Sequence, residues 1–334
     1  MPGCQTTAYT TVTSAPASPQ TEQVDATDIL NQVVSLSKAA GDRLRCMVLR
    51  VLHEESYGVL ELCQILDTAQ PALSHHLKVL HSAGLLARRR EGNSIFYRRA
   101  SAGGDLERVL LARIDAAALP AQIVRRIARV HDERRRRSET FFREHAAEFR
   151  ANQTRISEAA VYRPGVLELI DSAGAKGGTA LEIGPGEGEL LTALAPRFNR
   201  VEGIDSASNM LERAAANVTG LTNVELVHRD FTTMNRDPAY QLIVAAMVVH
   251  HLASPPGFFR QAAGLLTADG LLVVAELCSH DHEWARTACG DQWLGFEPQE
   301  LAGWAENADL RPVDAQFLAQ KNGFQIQIHS YRKQ

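Results

Sequence analysis

Apolar residues recur at helical spacing from Ile29 to Leu52 (Ile29, Val33, Leu36, then Leu44, Met47, Val48, Val51). Gly41-Asp42 interrupts the run, so two helices are predicted. Val59 to Leu66 predicts a short third helix and Pro71 to Ala83 a fourth, stopped by Gly84. Leu85 to Arg90 and Ser94 to Arg99 then read as two short strands around Glu91-Gly92-Asn93, a turn sequence that supports a hairpin. Helical spacing resumes between Asp105 and Phe149 (Leu106, Val109, Leu110, Ile114, then Ile123, Ile127, Val130) and is broken once, at Pro120.

The pattern changes at Gly178. Short apolar runs follow at Ala180 to Ile183, Val201 to Ile204, Val224 to Val227, Leu242 to Ala246 and Leu271 to Leu277, with helical stretches between them. Strands alternating with helices predict a parallel sheet covered on both faces, and the polar-apolar alternation of Phe324 to His329 predicts an antiparallel last strand. The expected fold class is α/β: a mostly α N-terminal domain ending in a hairpin, then a Rossmann-like doubly wound, mostly parallel sheet. Residues 1–24, rich in Thr, Ser, Pro, Ala and Gln, lack the bulky apolar groups needed to offset the entropy of ordering them, and predict a disordered tail. The expected divisions are 25–102 for the small domain, 103–154 for a helical linker or dimerisation segment, and 155–334 for the sheet domain.

Charge sharpens this division. Residues 1–100 carry ten Lys and Arg against nine Asp and Glu, residues 101–150 eleven against eight, and residues 151–334 fourteen against twenty-two. Within 71–100, Lys78, Arg88, Arg89, Arg90, Arg98 and Arg99 face Glu91 alone, as expected of a surface that meets phosphates. The run Arg134 to Arg137 reads as a solvated helix face. Residues 1–37 contain no Lys or Arg, which argues against an export signal, and no apolar run is long enough for a membrane helix, so a cytoplasmic location without membrane contact is expected. The five cysteines are scattered and odd in number, and read as free thiols.

Two motifs carry chemistry. Leu181-Glu182-Ile183-Gly184-Pro185-Gly186-Glu187-Gly188 follows a predicted strand and opens a helix. Gly184 and Gly186 allow a tight turn and close approach to a ligand, and Gly188 lets the helix pack on the strand. The spacing is not that of dinucleotide binders, and no Lys-Ser/Thr pair follows as in a phosphate loop. Glu182 would repel a pyrophosphate but suits the ammonium of a methionine moiety; Asp205, ending the second strand, suits ribose hydroxyls. Asp230 and Phe231 after the third strand suit an adenine amino group and its ring. These segments, with Val-Val-His-His-Leu-Ala-Ser-Pro at 248–255, resemble class I S-adenosylmethionine-dependent methyltransferases over residues 155–334. That resemblance implies S-adenosylmethionine or S-adenosylhomocysteine as ligand, held by Glu182, Gly184, Gly186, Gly188, Asp205, Asp230 and Phe231. His250 and His251 fall where such enzymes line the substrate mouth and are the candidate catalytic bases, the alternative being that one of the pair packs or caps. Methyl transfer itself is left open, because it requires mainly alignment, and no single residue is diagnostic.

The second motif is Gln70 to Leu80. Leu73, Leu77 and Leu80 face inward, leaving Gln70, Ala72, Ser74, His75 and Lys78 as short polar and cationic groups suited to a major groove. Arg88, Arg89, Arg90, Asn93 and Arg98 on the hairpin would reach flanking backbone. Residues 28–100 resemble the ArsR/SmtB winged helix-turn-helix repressors, which implies a homodimer on double-stranded operator DNA, with the helix after the wing as dimer contact. Gly58 and Leu60 stand where arsenic sensors carry paired cysteines, and His131 with Asp132 is too isolated, so no metal site is expected. The resulting expectation is a DNA-binding regulator, a repressor, whose C-terminal domain binds an S-adenosyl ligand and which serves methionine-cycle genes. The alternative is an active small-molecule methyltransferase with a fused DNA-binding domain. The segments 280–284 and 293–296 are read either as a lid or substrate pocket or as ordinary packing of the helix that follows.

Overall fold

The structure, a computed structural model, describes residues 26–91, 94–100, 103–235 and 237–334. The tail 1–24 and Asn93 lie outside the described residues.

The N-terminal unit contains α1 (Ala26–Ala40), α2 (Arg43–Val51), β1 (Tyr57–Gly58), α3 (Val59–Leu66), α4 (Gln70–Ser82) and the hairpin β2 (Leu86–Glu91) with β3 (Ser94–Arg99). Asp42 starts α2 by accepting the Arg45 N–H at 2.9 Å. At Gly84 φ is +75°, which lets the chain leave α4 and enter β2. The three strands pair in the order β1-β3-β2, with Tyr57 opposite Tyr97. β1 escapes sequence reading because two residues hold no periodicity. Leu36, Leu49, Leu62, Leu73, Leu77 and Leu80 fill the core beneath the hairpin.

Three helices follow: α5 (Asp105–Asp115), α6 (Ala121–Ile156) and α7 (Ala159–Ser172). α6 runs for 36 residues and departs from helical geometry at His145. Ile123 and Val130, near its start, pack into the winged-helix core, whereas Phe149 and Ile156, near its end, belong to the second core. The expected seam between residues 154 and 155 therefore falls inside a continuous helix.

The C-terminal unit contains β4 (Thr179–Ile183), α8 (Glu189–Leu194), β5 (Arg200–Asp205), α9 (Ser208–Val218), β6 (Val224–His228), β7 (Tyr240–Ala246), α10 (Pro255–Leu265), β8 (Leu266–Leu277), α11 (Trp284–Ala288), α12 (Pro298–Glu306), β9 (Leu310–Ala319) and β10 (Gln325–Lys333). Its seven-stranded sheet has the order β6-β5-β4-β7-β8-β10-β9. β4 to β8 are parallel, while β10 runs antiparallel to both β8 and β9. The strands are apolar on both faces because a core packs on each: Leu169, Leu191 and Val273 on one, Phe258, Phe259 and Leu272 on the other. β9 was not foreseen. It is an edge strand with one fully buried residue, Leu310, so it shows no alternation.

Candidate functional site

A cavity of about 370 Å³ opens beyond the C-terminal ends of β4, β5 and β7, where the strand order reverses around β4, the usual ligand position in such sheets. Glu182, Gly184, Gly186, Asp205, Asp230, Phe231 and His251 all line it. Gly184 has φ +63°, and a Cβ there would lie 2.6 Å from Val248 Cγ2, so no other residue fits. At Gly186 (φ +54°) a Cβ would face open space, as a backbone meant to meet a ligand requires. Gly188 (φ +79°) does not line the cavity; a Cβ there would press on Ala214 of α9, so its packing partner is that helix, not the strand expected from sequence.

The carboxylates differ in environment. Glu182 is buried, its Oε2 has no hydrogen-bond partner, and burial pushes its pKa up to about 8. An unsatisfied buried oxygen in a cavity wall is a seat for a cationic group. Burial also raises Asp205 to about 6, although its Oδ1 accepts the Ala207 N–H at 2.8 Å. Asp230 spends Oδ1 on the Thr232 N–H and hydroxyl at 2.8 and 2.7 Å, while Oδ2 faces Arg135 of α6 at 3.8 Å. Phe231 packs against Phe258 with its ring centroid at 5.4 Å. Met247, also in the wall, holds the left-handed φ of +59°, a conformation that costs roughly 1 kcal/mol or more outside glycine.

His250 and His251 part company. His250 is not in the cavity wall: its Nδ1 donates to Glu276 Oε2 at 2.7 Å. Oε1 of that carboxylate accepts the N–H groups of Val248, Val249 and His250 at 3.0, 2.6 and 3.3 Å. Burial alone would depress His250, but Glu276 and then Asp291 outweigh it and raise its pKa to about 9. His250 is thus buried, held by Glu276 beneath the turn and outside the cavity wall, a place that suits packing and not the role of a base facing the cavity. His251 does line the cavity, and burial together with the adjacent His250 charge holds its pKa well below the usual value. Its Nδ1 can only donate to Gly290 O, at 3.4 Å, which leaves Nε2 as the basic atom.

The roof of the cavity comes from α6, through Ser138, Phe142, Phe149 and Gln153. Phe142 and Phe149 meet the His251 ring edge-on at 5.0 and 5.9 Å, and Asn209 Nδ2 donates to Phe142 O at 3.2 Å. Residues 280–284 and 293–296 are absent from the cavity wall; Trp293 is buried and donates to Leu252 O at 2.8 Å, so this segment packs and the lid is α6. One turn upstream of the roof, Arg134 is buried, which corrects the solvated reading for that residue, whereas Arg136 and Arg137 are exposed as expected. It bonds Glu61 and Ser56 O of the winged helix and Ala253 O of the sheet domain, and lies 4.8 Å from the Trp293 ring. Sequence reasoning missed Arg134, Phe142 and Phe149. The available signal was the aromatic pair seven residues apart on the face where basic residues cease.

On α4, Gln70, Ala72, Ser74, His75 and Lys78 are all exposed on the side opposite buried Leu73, Leu77 and Leu80. Arg88 and Arg90 are exposed as well. Arg89 and Arg98 instead meet Glu300 of α12, each at 3.3 Å, so the outer side of the wing faces the sheet domain and not open solvent.

A winged helix whose α4 keeps a polar face in solvent, joined by one shared helix to a doubly wound domain with a glycine-loop cavity, defines a two-domain chain of winged-helix and Rossmann-like type. Residues 150–325 match the family described as methyltransferase domain, and residues 42–88 match bacterial regulatory protein, arsR family. The chain belongs to the methyltransferase-domain family and carries an arsR-type regulatory domain at its N-terminus. An HTH-type transcriptional regulator of Methanocaldococcus jannaschii is 39% identical over 69 residues, 20% of this chain and 75% of that protein. (S)-tetrahydroprotoberberine N-methyltransferase of Eschscholzia californica is 28% identical over 128 residues, 36% of each chain, so this chain spans about a third of that enzyme's length. Among solved structures, the Burkholderia thailandensis 1,6-didemethyltoxoflavin-N1-methyltransferase, with its substrate and S-adenosylhomocysteine bound, aligns with a TM-score of 0.50 at 18% identity. That alignment covers 65% of this chain and 92% of that one and shares the fold.

Proposed function

We propose that the protein is a transcriptional repressor that reads operator DNA with α4 and the wing and whose occupancy of DNA follows an S-adenosyl ligand in the sheet domain. One observation carries the reading: α6 contributes Ile123 and Val130 to the winged-helix core and Phe142, Phe149 and Gln153 to the cavity. A ligand that changes the seating of those roof residues acts on a rod built into the DNA-binding domain, and any difference in its affinity between the two seatings shifts the DNA-bound population. Glu182 would take the ligand's ammonium, Asp205 its ribose and Asp230 with Phe231 its adenine; the unsatisfied Glu182 oxygen and the open face of Gly186 fit that assignment. The protein would work in the cytoplasm, on methionine-cycle genes, for which the ratio of S-adenosyl compounds is informative.

A homodimer fits this role. Ile29, Leu30, Val33 and Val34 of α1 and Leu106 and Val109 of α5 are exposed large apolar residues. The two helices are neighbours, since a Cβ on Gly104, the N-cap of α5, would lie 3.7 Å from Gln32 of α1. A second copy covering this face would present two reading helices to a palindrome.

Methyl transfer to a small molecule is the second reading, favoured by His251, a neutral base in the cavity wall. The S-adenosyl group supplies an activated methyl when bound; His251 would take the proton that an N–H or O–H acceptor must lose.

Calorimetric titration of the full-length protein with S-adenosylhomocysteine and with S-adenosylmethionine, alone and with a promoter fragment from upstream of its own gene, tests the proposal. A several-fold change of DNA affinity with one ligand, mirrored by an equal effect of DNA on that ligand, supports it. Binding of both ligands with no effect on DNA overturns sensing and leaves the enzyme.

A further inference from the structure

Glu300, the third residue of α12, closes a capping box with Glu297, its Oε2 accepting the Glu297 N–H at 2.9 Å. The same carboxylate faces the wing. Arg89 Nη1 lies 3.3 Å from Oε2 and Arg98 Nε 3.3 Å from Oε1, and Arg89 Nη1 also donates to Gly295 O at 3.1 Å. Arg89 is the cross-strand partner of Phe96, whose ring meets Trp293 edge-on at 5.4 Å. The Glu300 carboxylate, the Gly295 carbonyl and the Trp293 ring thus all hold this face of the hairpin against the sheet domain.

A carboxylate that offers two oxygens to two wing arginines has the charge and acceptor pattern of a DNA backbone phosphate. Its contacts are long beside the roughly 2.7–2.9 Å of a tight charge-assisted bond. The Arg89 and Arg98 side chains remain 23% and 38% exposed, so another anion can reach them. We infer that Glu300 stands in for a phosphate: Arg89 and Arg98 form a second DNA-backbone surface, covered by the chain's own methyltransferase domain, and DNA and Glu300 compete for it. The inference rests on the reading of this chain as a DNA-binding regulator.

The experiment measures affinity of the full-length protein for the promoter fragment across a salt series, for wild type, Glu300→Gln, and Glu300→Gln combined with Arg89→Ala and Arg98→Ala. Glutamine keeps an oxygen for the helix cap and removes the charge. Glu300→Gln is expected to bind DNA several-fold more tightly, with the slope of log K against log salt steeper by about one to two, since each phosphate contact contributes about 0.9. The two added alanines should abolish both gains. Unchanged or weaker binding by Glu300→Gln at an unchanged slope overturns the inference. Hydrogen exchange on the wild type gives a second readout that needs no variant. DNA should speed exchange in residues 298–303, and equal or greater protection there counts against competition. If neither wild type nor Glu300→Gln binds DNA while S-adenosylhomocysteine still binds, the regulator reading has failed and this inference falls with it.

Discussion

Arg134 grips Glu61 with two hydrogen bonds, Nε to Oε1 at 2.8 Å and Nη2 to Oε2 at 2.6 Å, while its Nη1 reaches Ala253 O at 2.9 Å. One guanidinium on the shared helix therefore ties α3 of the winged helix to the loop beside the cavity. Arg134→Ala leaves two carbonyls without their donor and a half-buried carboxylate with the Gly58 N–H, at 2.8 Å, in place of the guanidinium. It is expected to destabilise the chain by roughly 3–5 kcal/mol, the usual effect of removing one member of a buried pair. Arg134→Lys, which lacks the planar fork, should recover less than half. Urea denaturation measures both, and a loss below about 1 kcal/mol would demote Arg134 to a surface contact.

If Glu182 takes the ligand's ammonium as proposed, its burial should make ligand affinity depend on pH. With its pKa raised to about 8, the carboxyl is largely neutral at pH 6 and becomes the anion an ammonium prefers as pH rises. S-adenosylhomocysteine affinity should climb from pH 6 to 8.5, and calorimetry in buffers of different ionisation enthalpy should show proton release at neutral pH. The ligand-free fold carries the opposite trend. A raised carboxyl pKa gives stability that is complete below the unfolded value of 4.5 and is lost as pH rises towards about 8, so the apo melting temperature should fall over that window. Glu182→Gln should flatten both curves; parallel curves for variant and wild type would refute the assignment.

On the proposed reading, the exposed face of α4 and the exposed Arg88 of the wing should make separate contributions to DNA binding. Lys78→Ala and Arg88→Ala should each weaken binding to every sequence and reduce the salt slope by about 1. Ser74→Ala and His75→Ala should mainly change which sequence is preferred. Fluorescence anisotropy with operator and scrambled duplexes separates these effects, and an unchanged slope for Lys78→Ala would exclude that phosphate contact.

Phe142 sits where ligand and rod meet. Phe142→Ala should lower S-adenosylhomocysteine affinity at least tenfold, or about 1.4 kcal/mol. It should also erase the effect of ligand on DNA affinity while leaving DNA affinity without ligand near wild type. Retained coupling at saturating ligand would show that α6 is not the transmitting element.

Leu30→Glu combined with Val109→Glu places charge in the exposed apolar face of α1 and α5. Sedimentation equilibrium should report a monomer in place of a dimer, with weaker operator binding. An unchanged mass would locate any dimer contact elsewhere.

Most elements of this protein were written locally and could be read from sequence, the short β1 and the edge strand β9 excepted. The period of Leu73, Leu77 and Leu80 made α4 a helix with one polar face, and Gly184 and Gly186 marked the turn between β4 and α8 because only glycine tolerates that backbone. Glu182, Asp205 and Asp230 were legible for the same reason, each standing at a strand end whose position the apolar runs fix. What joins these parts was not. Arg134 meets Glu61 across 73 residues and Ala253 across 119, and Arg89 meets Glu300 across 211. Periodicity describes which face of an element is apolar; it says nothing about which distant carboxylate a surface arginine will find. The charge run at Arg134 therefore read as solvated, the two histidines read alike, and the roof of the cavity went unassigned. Their environments, and hence their chemistry, were decided only when α6 was laid across both cores.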